Sequence, residues 1–266
     1  MSVLIVIPAR YQSSRFPGKP LVELTGATGA SQSLIRRSWD AAMAVTGVDR
    51  VVVATDDDRI ADAARAFGAE VVMTSETCMN GTERCADALD VMGIEADIVV
   101  NLQGDAPLTP HWFVSALIDA MHANPDMPVA TPVLRCDAAA LNGFVDDRAA
   151  GRVGGTTAVF DRNNRALYFS KEVVPYTGRR FSKGEDVPVF HHVGVYAYRP
   201  AALQAYRAWG TGDLEHWEGL EQLRFMENGV PVHCVEVDAR GHAFWELNNP
   251  VDVARIEAIM QAQKIP

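Results

Sequence analysis

An α/β fold built on a doubly wound, mostly parallel sheet is predicted by three features of the sequence. Apolar runs that suit strands buried on both faces alternate with segments of helical periodicity. The second predicted helix has capping residues at both ends, aspartates at positions 56–58 before it and Gly68 after it. Polar motifs follow the apolar runs directly. Because ligands of such sheets bind beyond the carboxyl ends of the strands, these motifs are the candidate functional residues.

The first half divides into four strands and four helices. The strands are predicted at residues 3–7, 50–55, 70–73 and 97–102, where β-branched and apolar residues run together. Helices are predicted at residues 33–45, 60–67, 81–92 and 110–122, the second of them capped within residues 56–58. Strictly alternating strands and helices imply right-handed crossovers and a parallel sheet.

The second half is less regular and predicts a smaller, mixed α+β sub-region at approximately residues 130–200 of a single domain spanning 1–266. Strands are expected at residues 129–134, 155–160, 166–169, 190–198 and 232–237, and helices at residues 213–228 and 250–261. Residues 26–31 form a small insertion of Gly, Ala, Ser and Thr, which we interpret as flexible.

Composition excludes several classes of protein. With 48% hydrophobic and 22% charged residues, the chain suits a globular fold, and its net charge of −10 argues against a general binder of nucleic acid or anionic membranes. The four cysteines form neither a C-x-x-C motif nor a cluster with histidines, which favours reduced thiols and a cytoplasmic protein. No signal-peptide pattern and no apolar run of about 18 residues is found.

A basic loop follows the first strand. Arg10, Arg15 and Lys19 lie within ten residues, and Gly18 lets the backbone approach a ligand closely. The loop lacks the G-x-G-x-x-G pattern, and Pro20 after Gly18-Lys19 excludes a Walker-type loop. Spacing alone leaves two interpretations open, a solvated basic loop and a site for a triphosphate.

The loop and six further motifs resemble the CMP-Kdo synthetases, the 3-deoxy-manno-octulosonate cytidylyltransferases. The loop reads P-A-R-Y-Q-S-S-R-F-P-G-K-P at residues 8–20. The other motifs occur in the family's order, with A-T-D at 54–56, N-G-T-E-R at 80–84, N-L-Q-G-D at 101–105, A-L-Y-F-S at 166–170, H-V-G-V-Y-A-Y-R at 192–199 and L-E-H…L-E-Q-L-R at 214–224. Each motif is weak alone, but seven in order are specific.

The resemblance implies a Rossmann-like nucleotidyltransferase that transfers CMP from CTP to the anomeric hydroxyl of Kdo, with Mg²⁺ as cofactor. It implies a homodimer formed through the 130–200 sub-region. Its catalytic residues would be Lys19, Arg10 and Asp105, and its metal ligands Asp105 and Asn248. Its nucleotide-binding residues would be Ala9, Arg10, Ser13, Lys19, Arg84 and Gln103. Its sugar-binding residues would be Lys171, His192, Tyr196, Glu221 and Gln222.

Some of these residues also have ordinary structural interpretations. Asp105 can be a turn or cap carboxylate, although a carboxylate at a strand's end suits Mg²⁺ shared with phosphates. Glu83 and Arg84 can belong to a capping box that starts at Thr82. A histidine in a strand such as His192 is often a buried structural residue, and Lys171, where the family usually has Arg, lacks a bidentate fork.

The chain departs from the family pattern at four places. Ala106 replaces a glutamate after Asp105, Thr157 replaces a basic residue, residues 26–31 are inserted, and Asn248 stands where the family has a second metal-binding aspartate. An asparagine removes one negative charge from the metal site. Three explanations stay open: weaker but functional metal binding, replacement by Glu246 or Asp252, and a different acceptor sugar.

Two alternative functions therefore accompany the first. One is a cytidylyltransferase for a related ulosonic acid, amino-Kdo or a sialic-acid-like sugar. The other is a non-catalytic CTP-binding homologue. The sequence leaves open whether the product serves lipopolysaccharide, capsule or another glycan.

Overall fold

The computed structural model describes residues 1–12, 16–105, 107–153, 155–243, 245–247 and 249–266. Its strands are β1 Val3–Ala9, β2 Glu23–Thr25, β3 Ser31–Ser33, β4 Arg50–Thr55, β5 Glu70–Met73, β6 Ile98–Leu102, β7 Val129–Arg135, β8 Thr157–Phe160, β9 Ala166–Ser170, β10 Phe190–His192, β11 Val195–Tyr198 and β12 Val232–Glu236. Its helices are α1 Leu34–Met43, α2 Asp58–Ala66, α3 Gly81–Met92, α4 His111–Ala123, α5 Ala138–Ala149, α6 Pro200–Ala208, α7 Asp213–Glu218, α8 Leu223–Glu227 and α9 Asp252–Gln263, with a short 3₁₀ helix at Lys19–Leu21.

Ten of these strands form one sheet in the order β5-β4-β1-β6-β11-β7-β10-β8-β9, and β12 also pairs with β7. The four strands β5, β4, β1 and β6 are parallel to one another, which confirms the doubly wound α/β fold predicted from the first half. From β11 onward the sheet is mixed, because β11 joins β6 antiparallel. The order of strands reverses between β1 and β6, so their carboxyl ends flank the point where such sheets bind ligands.

The parallel strands form where the sequence is apolar at every position. In β1, Val3, Ile5 and Ile7 pack into a hydrophobic cluster on one face of the sheet, whereas Leu4 and Val6 pack into a second cluster on the opposite face. Successive side chains of a strand point to opposite faces. Both faces are therefore covered, which explains the absence of polar alternation in this half of the sequence.

Two elements predicted as continuous are divided in the structure. The strand predicted at residues 190–198 is split into β10 and β11, because β10 pairs with β8 whereas β11 pairs with β6, and Gly194 lies in the break. The helix predicted at residues 213–228 is split into α7 and α8, because Gly219 takes a left-handed conformation (φ 61°) and ends α7. Helices α5 and α6 were not predicted from the sequence.

The insertion at residues 26–31 was predicted to be flexible, and the structure corrects this. It is the turn of the hairpin β2–β3, and the Gly26 amide donates to the Ala30 carbonyl oxygen over 2.9 Å. The end of the chain packs on this turn: the Ala27 amide donates to the Ile265 carbonyl oxygen over 2.7 Å, and Arg37 Nη1 donates to the Pro266 carbonyl oxygen over 2.6 Å. Contacts with residues more than 200 positions away therefore order the insertion.

A third hydrophobic cluster joins segments that follow β1 and β6 to the end of the chain. Its buried members are Leu24, Leu34, Leu108, Leu247, Ile256 and Met260. They come from the hairpin, α1, the segment after β6, the segment before α9, and α9 itself. The cluster therefore joins the segments that carry the candidate functional residues. None of the helices in the described ranges has the length and apolarity needed to cross a membrane.

Candidate active site

The carboxyl ends of β1 and β6 approach each other closely. These strands are parallel neighbours, with Val6 opposite Asn101. The segment after β6 passes so near β1 that a Cβ added to Gly104 would stand 3.1 Å from the Pro8 carbonyl oxygen. A side chain at position 104 would push the two backbones apart. The glycine of the Q-G-D motif thus brings the ends of the two polar segments together.

Lys19 and Asp105 form an ion pair at this place. Lys19 Nζ lies 2.7 Å from Asp105 Oδ2, with side chains 16% and 24% exposed. Lys19 begins the 3₁₀ helix, whose start depends on Gly18 in a left-handed conformation (φ 72°). The second oxygen of the carboxylate, Asp105 Oδ1, is buried and has no hydrogen-bond partner among the described residues. A cation and a carboxylate 86 positions apart therefore meet at the predicted ligand edge.

Other described residues of the basic loop lie toward α3 and α2. Arg10 is exposed, and its Nη1 donates to the Met79 carbonyl oxygen over 3.3 Å. The Gly18 amide donates to the Tyr11 carbonyl oxygen over 2.9 Å, and the Arg59 guanidinium lies 3.3 Å from the centre of the Tyr11 ring. These contacts fix both ends of the loop. Ala9 is the buried last residue of β1.

Two predicted site residues, Ser13 in the basic loop and Asn248 in the metal pair, lie outside the described residues. The same holds for Arg15 and for Ala106, which takes the place of the family's glutamate. The roles predicted for Ser13 and Asn248 therefore stay predictions from the sequence.

Arg84 is buried near the start of α3. Its Nη2 donates to Asp56 Oδ2 over 2.9 Å and its Nη1 to Thr74 Oγ1 over 2.6 Å. Asp56 is the aspartate of the A-T-D motif after β4, so two of the sequence motifs pair through a partly buried ion pair. The structure thus gives Arg84 a positioning contact, and its binding of the nucleotide stays a prediction.

The start of α3 differs from the predicted capping box. Asn80, not Thr82, is the N-cap, and its side chain accepts a hydrogen bond from the Glu83 amide over 2.9 Å. The Thr82 hydroxyl instead forms a hydrogen bond with the Tyr198 hydroxyl over 2.8 Å. The Thr82 amide donates to Glu221 Oε2 over 2.9 Å, so the helix start binds a residue of the predicted sugar pocket.

Residues predicted to bind the sugar form hydrogen bonds with one another and with Gln103, which is predicted to bind the nucleotide. Gln103 Nε2 donates to Glu221 Oε1 over 2.8 Å, and the Tyr196 hydroxyl donates to Gln222 Oε1 over 3.0 Å. Burial raises the pKa of the Glu221 carboxyl and of the Tyr196 phenol. Tyr196 therefore stays protonated at neutral pH, and its O–H is held by a buried amide.

His192 lies beside this group as a buried, neutral side chain. Its Nε2 is 2.9 Å from Thr131 Oγ1, and its ring centre lies 5.6 Å from that of Tyr196. Burial, helped by the charge of His191, lowers the pKa of His192 to about 3. The imidazole is uncharged at neutral pH and offers a hydrogen bond rather than a positive charge.

Lys171 stands apart from this group, at the end of β9. Its amide donates to Glu218 Oε2 over 3.0 Å, and its Nζ lies 2.8 Å from the place of a Cβ added to Gly219. Glu218 also accepts a hydrogen bond from Ser170 Oγ over 2.7 Å, which fixes the end of β9 against α7. Lys171 is thus held on the α7 side, and its pairing with a sugar carboxylate stays a prediction.

The buried ion network around Arg224 was not predicted from the sequence. Arg224 donates to both oxygens of Glu215, over 2.6 and 2.8 Å, and to Glu83 Oε1 over 2.9 Å. Its guanidinium also lies 4.1 Å from the centre of the Tyr206 ring. The L-E-H…L-E-Q-L-R pattern contained the arginine and the first glutamate, but their contact depends on the turn at Gly219. The Tyr206 hydroxyl contacts both Glu215 Oε1 and the Glu221 carbonyl oxygen, which links this network to the segment of Glu221.

The two carboxylates proposed as substitutes for the second metal-binding aspartate differ in their surroundings. Asp252 is buried and accepts hydrogen bonds from Trp245 Nε1 over 3.1 Å and from the Asn249 amide over 2.7 Å, so it orders the start of α9. Glu246 is half-buried and lies beside Gly194 and Gln103. Within the described ranges no group of three or more His, Cys, Asp or Glu could hold a metal ion.

A surface cavity of about 720 Å³ lies elsewhere, between α4, the β8–β9 turn and β12. Arg165 and His233 line it, and none of the predicted site residues does. The site described above is therefore identified by converging polar groups and not by the size of a cavity.

Comparison with known proteins agrees with this geometry. The family model described as cytidylyltransferase matches residues 4–236. A 3-deoxy-manno-octulosonate cytidylyltransferase of Maricaulis maris is 46% identical over 99% of this chain and 98% of its own length. An 8-amino-3,8-dideoxy-manno-octulosonate cytidylyltransferase of Shewanella frigidimarina is 38% identical over 97% of this chain and 98% of its own length.

The fold is also similar to that of a solved relative. The structure of a CMP:2-keto-3-deoxy-manno-octonic acid synthetase complexed with CTP superposes with a TM-score of 0.83 at 35% sequence identity, and the match covers 100% of both chains. The motifs at the ends of β1 and β6 therefore belong to a fold that binds CTP in this relative.

Proposed function

The chain belongs to the cytidylyltransferase family, and from that premise we propose that it transfers CMP from CTP to the anomeric hydroxyl of 3-deoxy-D-manno-octulosonate and releases pyrophosphate. It is a CTP-dependent nucleotidyltransferase. The observation that carries the proposal is the meeting of Lys19 and Asp105 at the edge between β1 and β6. Lys19 would bind phosphate oxygens there, and Asp105 beside it would bind a metal ion.

The chemistry needs a triphosphate held in place while its α-phosphate is attacked. Such reactions depend mainly on positioning and on charge stabilisation. Lys19, held by the 3₁₀ helix, would offset the charge that grows on the phosphate oxygens, and exposed Arg10 would bind the triphosphate at the rim. Ala9 and Gln103, at the ends of the two strands, would contact the base.

We further propose that Asp105 binds Mg²⁺. The residue fits a cation, because Oδ1 is buried without a partner among the described residues and because Oδ2 already binds the ammonium of Lys19. Mg²⁺ prefers hard oxygen donors that it shares with substrate phosphates. When bound, the ion would neutralise charge on the phosphates and help to orient them.

The acceptor pocket would consist of His192, Tyr196, Glu221 and Gln222, next to the base-contacting Gln103, which donates to Glu221. Its groups are uncharged donors and acceptors, together with one buried carboxyl, and they suit the hydroxyls of a sugar. Gln222 Nε2 is buried with no partner among the described residues, so one donor is available for a ligand. Lys171 would approach the sugar's carboxylate from the α7 side.

Pyrophosphate release from CTP and Mg²⁺ across a panel of sugars tests the proposal. The panel contains Kdo, its 8-amino-8-deoxy analogue and a sialic acid, and mass spectrometry identifies each CMP-sugar. Turnover of Kdo well above the others supports the proposal. Turnover of the amino sugar alone would select the second candidate, which the Shewanella relative favours. CTP binding without turnover of any sugar would indicate a non-catalytic homologue.

We also propose that the chain is one domain that forms a homodimer through residues 130–200 and acts in the cytoplasm. Support for the dimer comes from exposed apolar side chains such as Leu167, which is 61% exposed on β9. Light scattering coupled to size exclusion would measure the mass in solution. A mass near that of a 29.0 kDa monomer at micromolar concentration would contradict the dimer.

A further inference from the structure

Tyr11 and Gly18 are joined at the described ends of the basic loop. The Gly18 amide donates to the Tyr11 carbonyl oxygen over 2.9 Å, and the Tyr11 ring fills the space beside Gly18. A Cβ added to Gly18 would stand 3.1 Å from both Cζ and Oη of Tyr11. The ring also packs against the hydrophobic cluster that contains Ile5 and Ile7. Tyr11 therefore holds Gly18 through both its backbone and its side chain.

The Arg59 side chain covers the Tyr11 ring from the first turn of α2. Its guanidinium lies 3.3 Å from the ring centre, and a cation over an aromatic face is attracted by the ring quadrupole. Arg59 also donates to both oxygens of Asp57, over 3.0 and 2.6 Å. Asp57 is the N-cap of α2 and accepts a hydrogen bond from the Arg59 amide over 3.0 Å. The start of α2 thus fixes the guanidinium of Arg59 over the ring.

The conformation of Gly18 sets the direction of Lys19. Gly18 is left-handed (φ 72°), and its carbonyl oxygen accepts a hydrogen bond from the Leu21 amide over 2.9 Å, which closes the 3₁₀ helix that begins at Lys19. Helix α2 lies close to that 3₁₀ helix. From this start Lys19 Nζ reaches to 2.7 Å from Asp105 Oδ2. A displaced Gly18 would therefore displace the Lys19 ammonium from the site.

We propose that Tyr11 is a positioning residue, whose ring holds Gly18 and thereby aims the Lys19 ammonium at the phosphates. This inference rests on the proposed function, in which Lys19 offsets the charge that grows on the phosphate oxygens. Arg59 keeps the ring in place from α2. It acts through the ring and not as a phosphate ligand, because its guanidinium is already paired with Asp57.

Steady-state kinetics with CTP, Mg²⁺ and the sugar of the panel that turns over fastest tests the role of Tyr11. Tyr11→Leu keeps an apolar contact with the core but removes the ring. We expect kcat to fall by about tenfold, within the roughly hundredfold that a misplacement of about 1 Å can cost, with a smaller change in either KM. Tyr11→Phe should keep kcat within about twofold of the wild type, because the ring that Arg59 covers is retained.

The same substitution in a Lys19→Ala background makes the test specific. Two residues that act through one group show losses that do not add, so Tyr11→Leu should change the kcat of Lys19→Ala by less than about twofold. A second tenfold loss in that background would overturn the inference. Equal losses of kcat in Tyr11→Phe and Tyr11→Leu would overturn it too, because they would assign the effect to the hydroxyl.

Arg59→Gln tests the same contact without a change in the core, because the Arg59 side chain is 60% exposed. We expect kcat to fall by about twofold to fivefold, the size usual for loss of an exposed cation–π contact. The matched control is Arg36→Gln on α1. It removes an arginine that lies 4.9 Å from the centre of the Trp39 ring and pairs with Asp40 over 3.0 Å, and it should leave kcat unchanged.

The outcomes separate the inference from the proposed function. Wild-type kcat in a Tyr11→Leu protein that is folded by circular dichroism would overturn the inference. A higher KM for CTP in Arg59→Gln that persists in the Lys19→Ala background would also overturn it, because Arg59 would then bind phosphate directly. An active wild type in which Tyr11→Leu and Lys19→Ala lower kcat independently rejects only the present inference. A wild type that turns over no sugar of the panel would reject the proposed function and this inference together.

Discussion

Replacing Arg224 by methionine should remove the most deeply buried charge of the described chain at little change in volume. Arg224 is 1% exposed and donates to both oxygens of Glu215, which is itself 7% exposed. Removing one partner of such a pair leaves the other charge buried without compensation and costs about 3–5 kcal/mol. For a chain of this size the loss corresponds to a fall of about 10 °C in melting temperature.

The measurement is thermal and urea unfolding of Arg224→Met beside a matched control. Arg65→Met removes the same side chain from a surface pair with Asp62, where the two side chains are 51% and 77% exposed. The control should change the free energy of unfolding by less than about 1 kcal/mol, because surface ion pairs contribute little. The comparison separates the burial of the pair from the loss of an arginine.

A second variant checks the physical reason for the loss. Arg224→Met combined with Glu215→Leu removes both buried charges and should recover part of the stability lost by Arg224→Met alone. A loss below about 1 kcal/mol for the single variant would refute the reasoning, since it would mean that Glu215 finds another partner. A double variant less stable than the single variant would refute it as well.

Four further results are expected. Lys19→Ala should lower kcat by about 10²–10³ with a smaller change in the sugar KM, because its charge acts mainly in the transition state; a change in KM alone would count against this role. Asp105→Asn should abolish turnover and leave the circular dichroism spectrum unchanged, and near-normal activity would remove it from the metal site. His192 is held neutral by a lowered pKa, so protons bind preferentially to the unfolded chain below pH 6.5; through this group stability should be full above that pH and fall by about 2 kcal/mol by pH 5. Because burial also lowers the pKa of the neighbouring His191 to about 4, His192→Gln should reduce the slope in urea titrations without removing it. Gly26→Ala should cost about 1–3 kcal/mol, because the new Cβ would stand 2.2 Å from the Pro266 carbonyl carbon, whereas Gly143→Ala, with open space in α5, should leave the melting temperature equal or higher.

The parallel half of the sheet was predictable because its signals are local. Strands β1, β4 and β6 are apolar runs covered on both faces, β5 is a shorter strand at the edge of the sheet, and the predicted bounds of all four differ from the observed ones by at most two residues. The meeting of Lys19 and Asp105 followed from the same rule, since adjacent parallel strands present their carboxyl ends at one edge. Local sequence pattern and fold topology together were sufficient to predict both these strands and the Lys19–Asp105 contact.

The parts that were missed depend on distant contacts. The hairpin β2–β3 has few apolar residues of its own and is ordered by α9, through the Thr25 amide donating to Glu257 Oε1 over 2.7 Å. Helix α5 buries only Ala138 and Leu141, so its amphipathic pattern is weak. The division of β10 from β11 depends on which strands pair on either side, and no single segment encodes that choice.

The positions of the reacting groups are set by apolar neighbours more than by their own charges. The Lys19–Asp105 pair is partly exposed, and such pairs contribute about 1 kcal/mol or less. By contrast, Leu24 follows the Lys19 helix, Leu108 follows Asp105, and Leu247 follows Glu246, and all three are buried in the same cluster. Each such side chain contributes about 1.5–3 kcal/mol on burial. Because one cluster holds all three polar segments, a change in any of its members should displace the whole reaction centre together, whereas loss of a polar residue leaves the remaining groups in place.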